Sequence, residues 1–154
     1  MNSLLALRLS RRALGAVALD DDQVVFADSR HLTSNQDRAR VTADRYLARI
    51  VDQVRPTRLA VYVPDQAKTL TAMLVTQLQH LAEATGLPLR IVHKTEVLSA
   101  FAVRPLRHRG ELHALIEQFW PALTEMSNQL KPYLADAAAT AWYAEVSIAL
   151  ADGS

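Results

Sequence analysis

The chain has 154 residues, half of them hydrophobic and 21% charged, with a formal net charge of +1 at pH 7 and no cysteine. That length suits one domain with a real core, taken here as residues 1–154. The missing cysteines exclude disulfides and thiolate chemistry, and the near-balanced charge gives no general field for polyanions. No apolar run approaches the ~18–20 residues that span a bilayer. The opening MNSLLALRLSRR sets its apolar stretch before its arginines, the reverse of a signal peptide, so a cytoplasmic protein without a membrane partner is expected.

Residues 3–9 (SLLALRL), 13–19 (ALGAVAL) and 23–29 (QVVFADS) are three short apolar runs separated by SRR and DDD. Compact polar turns between such runs predict a three-stranded antiparallel meander. Arg8 interrupts the first run. From Ser34 the period changes: Ala43, Tyr46, Leu47, Ile50, Val51 and Val54 recur at three- and four-residue steps, an amphipathic helix. Ser34 with Asp37 is read as its cap and Pro56 as its end. RLAVYV (58–63) is a nearly continuous apolar strand of the buried parallel kind. A second helix is expected from Ala67 to Thr85, with Leu70, Met73, Leu74, Leu78 and Leu81 as its stripe and Gly86 as its left-handed stop.

LPLRIVH (87–93) gives a fifth strand, followed by a short helical piece, TEVLSAFA, and the basic loop VRPLRHRG (103–110). A helix carrying Leu112, Leu115, Ile116, Phe119 and Trp120 breaks at Pro121. After Pro132 a last helix, YLADAAATAWYAEVSIAL, is rich in alanine, whose small side chain permits close approach to a sheet. The order β-β-β-α-β-α-β followed by helices predicts an α/β fold. Its five-stranded mixed sheet has three antiparallel strands, then two parallel, flanked by helices.

That order is the ribonuclease H-like one, and over nearly its whole length the chain resembles the RuvC-type Holliday junction resolvases. LLALRLS stands where that family has its first strand, RLAVYVPDQ where it has a fourth strand ending in a catalytic Glu. HKTEVLSAFAVRPLRHRGELHALIEQFW resembles the segment leading through a basic loop into a helix, and LADAAATAWYA the final helix. The resemblance implies a nuclease in which two divalent cations ~3.5–4 Å apart activate water and stabilise the leaving oxygen of a phosphodiester. It also implies carboxylates in mid first strand, at the end of the fourth strand and, as a pair, on the final helix.

Those carboxylates are mostly gone. The first-strand position is Arg8, and the fourth-strand position falls at Tyr62, or at Val63 if the register slips by one. On the final helix Asp136 remains while its companion is Ala139. A guanidinium offers donors only and cannot ligate a metal. Buried alone it costs several kcal/mol, so an acceptor is required, and the family's geometry makes Asp136 the candidate. Alternatively, Arg8 lies near the strand end and extends its head into water. A displaced Mg²⁺ site built on Asp65 and Asp136, with Asp28 joining them, is the remaining route to catalysis. Asp65 follows a proline before a helix, however, where aspartate usually caps. Glu145 is two and a half turns beyond Asp136 and cannot share its ion.

Arg104, Arg107, His108 and Arg109 lie within six residues, with Gly110 as a pivot, and the family's equivalent segment approaches the DNA backbone. Arginine suits phosphate because its planar fork donates two parallel hydrogen bonds. Arg11 and Arg12 in the first hairpin extend that footprint. Arg38, Arg40, Arg45 and Arg49 alternate with Asp37, Asp44 and Asp52 along one helix, and intrahelical pairing is expected there. His108, Glu111 and His113 do not share a helix face and form no zinc pattern. Tyr133, Trp142 and Tyr143 are read as packing residues.

The sequence thus predicts a catalytically inactive RuvC-like domain that binds nucleic acid, DNA more than RNA, without a cofactor. It would act as a homodimer or in a larger recombination or other DNA-transaction assembly. Two other readings stay open: a protein-interaction or structural subunit, and a Mg²⁺-dependent junction endonuclease using Asp65 and Asp136.

Overall fold

The structure is a computed structural model and describes residues 3–10, 12–20, 23–63, 69–94, 96, 136–141, 143 and 144. Its strands are β1 (Ser3–Leu9), β2 (Ala13–Asp20), β3 (Gln23–His31), β4 (Arg58–Val63) and β5 (Leu89–His93). Its helices are α1 (Gln36–Val54) and α2 (Thr69–Thr85), and residues 136–141, 143 and 144 are also helical. The sheet order is β3-β2-β1-β4-β5, with β1–β2 and β2–β3 antiparallel and β1–β4 and β4–β5 parallel. This is the predicted mixed sheet, and β1 lies at its centre.

Alternation along β1 divides the core in two. Leu5, Leu7 and Leu9 face one side with Leu14, Leu59 and Val61, under the apolar stripes of α1 and α2. Leu4 and Ala6 face the other side with Val17, Ala60 and Tyr62, against Ala137, Ala138, Ala139, Ala141 and Ala144. Both faces of β1 are therefore buried, which explains its near-continuous apolar run. The alanines of the final helix leave only a thin layer between helix and sheet.

Helix ends follow local chemistry. The cap of α1 is Asn35, whose side chain accepts from the Arg38 amide at 3.0 Å, so the expected Ser34–Asp37 arrangement is displaced by one residue. At the other end Arg55 takes the left-handed conformation (φ 51°), and its amide donates to the Val51 carbonyl, just before Pro56. Gly86 (φ 71°) ends α2 as expected. Leu87 donates back to Ala82 and Gly86 to Glu83, the paired bonds of a glycine-terminated helix. The expected start of α2 at Ala67 lies outside the described residues. No helix among the described residues is long and apolar enough to cross a membrane.

Candidate functional site

Three elements meet at one point on the thin side of the sheet. β1 supplies Arg8, β4 supplies Tyr62 as its register partner, and the final helix supplies Asp136. Arg8 Nε donates to Asp136 Oδ2 at 3.0 Å, and Nη1 donates to the Leu9 carbonyl at 2.8 Å. The guanidinium carbon lies 4.9 Å from the centroid of the Tyr62 ring, within cation–π range. Arg8 is 8% exposed and Asp136 fully buried. Of the two expectations for Arg8, the buried pair is found and the water-seeking head is not. Tyr62, not Val63, is the β4 residue in register with Arg8.

The pair stands where charge and geometry oblige it to. A cation lodged between two sheet strands and an alanine-lined helix has little water to solvate it. Its neighbours must therefore offer an anion, a carbonyl and a π-face. Asp136 is fixed in turn by the helix, where Thr140 Oγ1 donates to the Asp136 carbonyl at 2.8 Å. A second set of contacts anchors the same helix to the end of β5. Tyr143 OH donates to Glu96 Oε2 at 3.0 Å, Glu96 Oε1 accepts the His93 amide at 3.1 Å, and the Arg90 guanidinium lies 5.1 Å from the Tyr143 centroid. Burial, then the Glu96 bond, raises the Tyr143 phenol. Tyr143 is thus more than the packing residue expected from the sequence, and no local signal ties it to Glu96, 47 positions away.

The donor set at this point does not fit a divalent cation. Arg8 repels one, Tyr62 offers a ring face to the guanidinium, and an Asp136 oxygen accepts from Arg8. Among the described residues no group of three His, Asp or Glu could hold a metal ion. Asp28 is also removed from the displaced-site idea. Its carboxylate accepts from Tyr46 OH at 3.0 Å, and Tyr46 belongs to the α1 side of the sheet, opposite Asp136. Asp65 and Glu145 lie outside the described residues, as do Arg11, Arg104, Arg107, His108, Arg109, Trp120 and Trp142. Arg12 is exposed at the β1–β2 turn, which Ser10 closes by donating to the Ala13 carbonyl and accepting from the Arg12 and Ala13 amides.

The intrahelical pairing expected on α1 is absent. Among the described residues no carboxylate lies within the 4.0 Å ion-pair limit of Arg38, Arg40, Arg45 or Arg49. Arg45 and Arg49 instead border Tyr46 together with Arg30 of β3. Burial first, then Asp28, raises the Tyr46 phenol above its ordinary value of 10.0. The unfolded phenol ionises near that value while the folded one keeps its proton. The stability from this group is therefore full below about pH 10 and falls as pH rises beyond it, by up to ~1.4 kcal/mol per pH unit. Tyr46→Phe is expected to remove that one-proton slope and to cost about 1 kcal/mol at neutral pH. Urea unfolding of both proteins across neutral and alkaline pH measures both effects.

The same architecture recurs in solved structures. Thermus thermophilus RuvC in complex with Holliday junction substrate superposes with a TM-score of 0.74 at 14% identity, over 96% of this chain and 97% of that one. A second Thermus thermophilus RuvC structure gives 0.72 at 15% identity, over 94% and 96%. The yeast mitochondrial Holliday junction resolvase gives 0.64 at 13% identity, over 94% and 80%. The sequence itself matches no protein-family model and no curated protein. At such identities the likeness establishes the fold, which is that of the RuvC resolvases, ribonuclease H-like as the segment order predicts.

Proposed function

We propose that this chain is a single nucleic-acid-binding domain, residues 1–154, that recognises and positions DNA without cutting it. The observation that carries this reading is the 3.0 Å bond from Arg8 to Asp136, a guanidinium–carboxylate pair at the centre of a nuclease-type sheet. The shared fold supports nucleic acid as the partner, since one of its neighbours is a RuvC bound to a Holliday junction. Affinity comes from phosphate contacts and counterion release through Arg104, Arg107, His108 and Arg109, with Arg11 and Arg12 extending the footprint. A homodimer matches a two-fold junction, and a recombination assembly is the setting such a domain suits.

Fluorescence anisotropy against a labelled four-way junction tests this reading. Binding is expected to weaken steeply with salt. The Arg104→Ala/Arg107→Ala/Arg109→Ala protein is expected to lose slope by about 0.9 for each phosphate contact removed. Binding that ignores both salt and these substitutions would point to a protein partner instead. Mg²⁺- or Mn²⁺-dependent cleavage abolished by Asp136→Asn would establish the nuclease built on Asp65 and Asp136.

A further inference from the structure

Across the sheet from the Arg8–Asp136 pair, Arg30 of β3 and Arg45 and Arg49 of α1 line one cleft of about 230 Å³ with Thr42 and Tyr46. All three arginines are exposed, and among the described residues none has a carboxylate within 4.0 Å. Asp28, two residues from Arg30 on β3, is the local acid, and its Oδ2 accepts from Tyr46 OH. Arg45 and Arg49 are one helical turn apart, a spacing at which like charges repel. The Arg49 guanidinium lies over the Tyr46 ring at 5.5 Å, which restrains it beside the cleft. On its other flank Arg45 borders a cavity lined also by Arg40, Asp37 and Asp44, where the charges balance, so the excess of positive charge belongs to the β3 side of α1.

The geometry points to an oxyanion site of the phosphate class in this cleft, held by Arg30, Arg45 and Arg49. Three arginines from two elements line one concave space together with Thr42. An anion there relieves their mutual repulsion while accepting several charge-assisted bonds. The cavity is smaller than the ~300–1,000 Å³ of ordinary small-molecule pockets, which suits a phosphate group better than a whole nucleotide. The phosphate is that of a nucleic-acid backbone or a free phosphate ion. The first source rests on the proposed DNA-binding function, and it adds a contact on the face opposite Arg8, reached by a separate segment of the nucleic acid.

The test uses the full chain, its Arg30→Gln/Arg45→Gln/Arg49→Gln variant, and an Arg38→Gln/Arg55→Gln control, with folding checked by circular dichroism. One arm measures the salt dependence of binding to a labelled DNA duplex. The other follows arginine Nε–H resonances during titration with inorganic phosphate, against chloride at equal ionic strength. The cleft variant is expected to lower the duplex salt slope by about 2–3, at roughly 0.9 per contact, with the control moving it less. Phosphate-saturable shifts lost in the cleft variant, with duplex binding unaltered, would assign the site to free phosphate. If neither arm responds to the cleft substitutions, the site is overturned. A wild-type chain that binds no nucleic acid but keeps the saturable shifts overturns the DNA-binding function and retains the cleft.

Discussion

Asp136→Ala is expected to destabilise the fold by about 3–5 kcal/mol, because it removes the buried carboxylate from a guanidinium held inside the sheet–helix layer. Asp136 is fully buried and the Arg8 side chain 10% exposed, so water cannot replace the lost carboxylate without opening the structure. The Leu9 carbonyl and the Tyr62 ring are among the partners that remain, which places the expected value toward the lower end of that range. Even so, it is a large share of the ~5–15 kcal/mol that holds a typical domain together.

The reciprocal variant makes the test specific. Arg8→Met with Asp136→Ala removes both charges and leaves no unpaired cation, so the double variant is expected to recover most of the loss. A double-mutant cycle in urea should show a coupling energy of about 1–3 kcal/mol. High salt should leave this coupling nearly unchanged, since buried pairs are screened far less than exposed ones. An Asp136→Ala protein within about 1 kcal/mol of wild type would mean that Arg8 reaches solvent, as in the water-seeking alternative.

The second large effect is a gain. Arg8→Asp with Tyr62→Glu places carboxylates at two register partners beneath Asp136. Without metal, three acidic groups crowded into one buried point repel, and the variant is expected to be markedly less stable than wild type. Mg²⁺ or Mn²⁺ supplies the missing positive charge. At a hundredfold excess over its dissociation constant the ion should restore about 2.7 kcal/mol, read as a shift in the urea midpoint. The wild-type chain is expected to show no such shift, because Arg8 occupies the position. A wild-type protein stabilised by Mn²⁺ to the same degree would sink the reading of a guanidinium in place of a cation. So would a double variant indifferent to the ion.

These two results concern opposite properties of the same three residues. In the native chain the charge at the sheet centre is covalently attached, permanent and donor-only. Introducing acids exchanges it for one that must be bound and can be removed. If the basic loop at 103–110 carries the affinity proposed for it, Arg8→Asp/Tyr62→Glu should leave the salt dependence of junction binding close to wild type.

Much of this was legible along the chain because the signals are local or periodic. Apolar runs of strand length separated by SRR and DDD gave β1, β2 and β3, and three- and four-residue spacing gave the helices. Gly86 gave the end of α2 for a backbone reason, a positive φ. Arg8 declared itself as an anomaly, since a cation within an otherwise apolar run demands a partner. The resemblance to RuvC resolvases supplied Asp136 as that partner from 128 positions away. The cap of α1 was misread by one residue because Ser34 and Asn35 both cap well, and side-chain geometry chose between them.

What the linear chain determined, then, is the set of elements, their order and the residue types at the positions where the resemblance implies metal ligands, because residue type and spacing act through bonds only a few positions apart. The tertiary structure alone decided which charges meet. It paired Arg8 with Asp136 over Tyr62, turned Asp28 toward Tyr46 on the far face, and set Arg45 and Arg49 around one cleft with Arg30. The physical reason is that strand alternation and helix docking assign each side chain a face and a neighbour. Coulomb and hydrogen-bond energies then depend on separations of a few ångströms that distance along the chain does not encode.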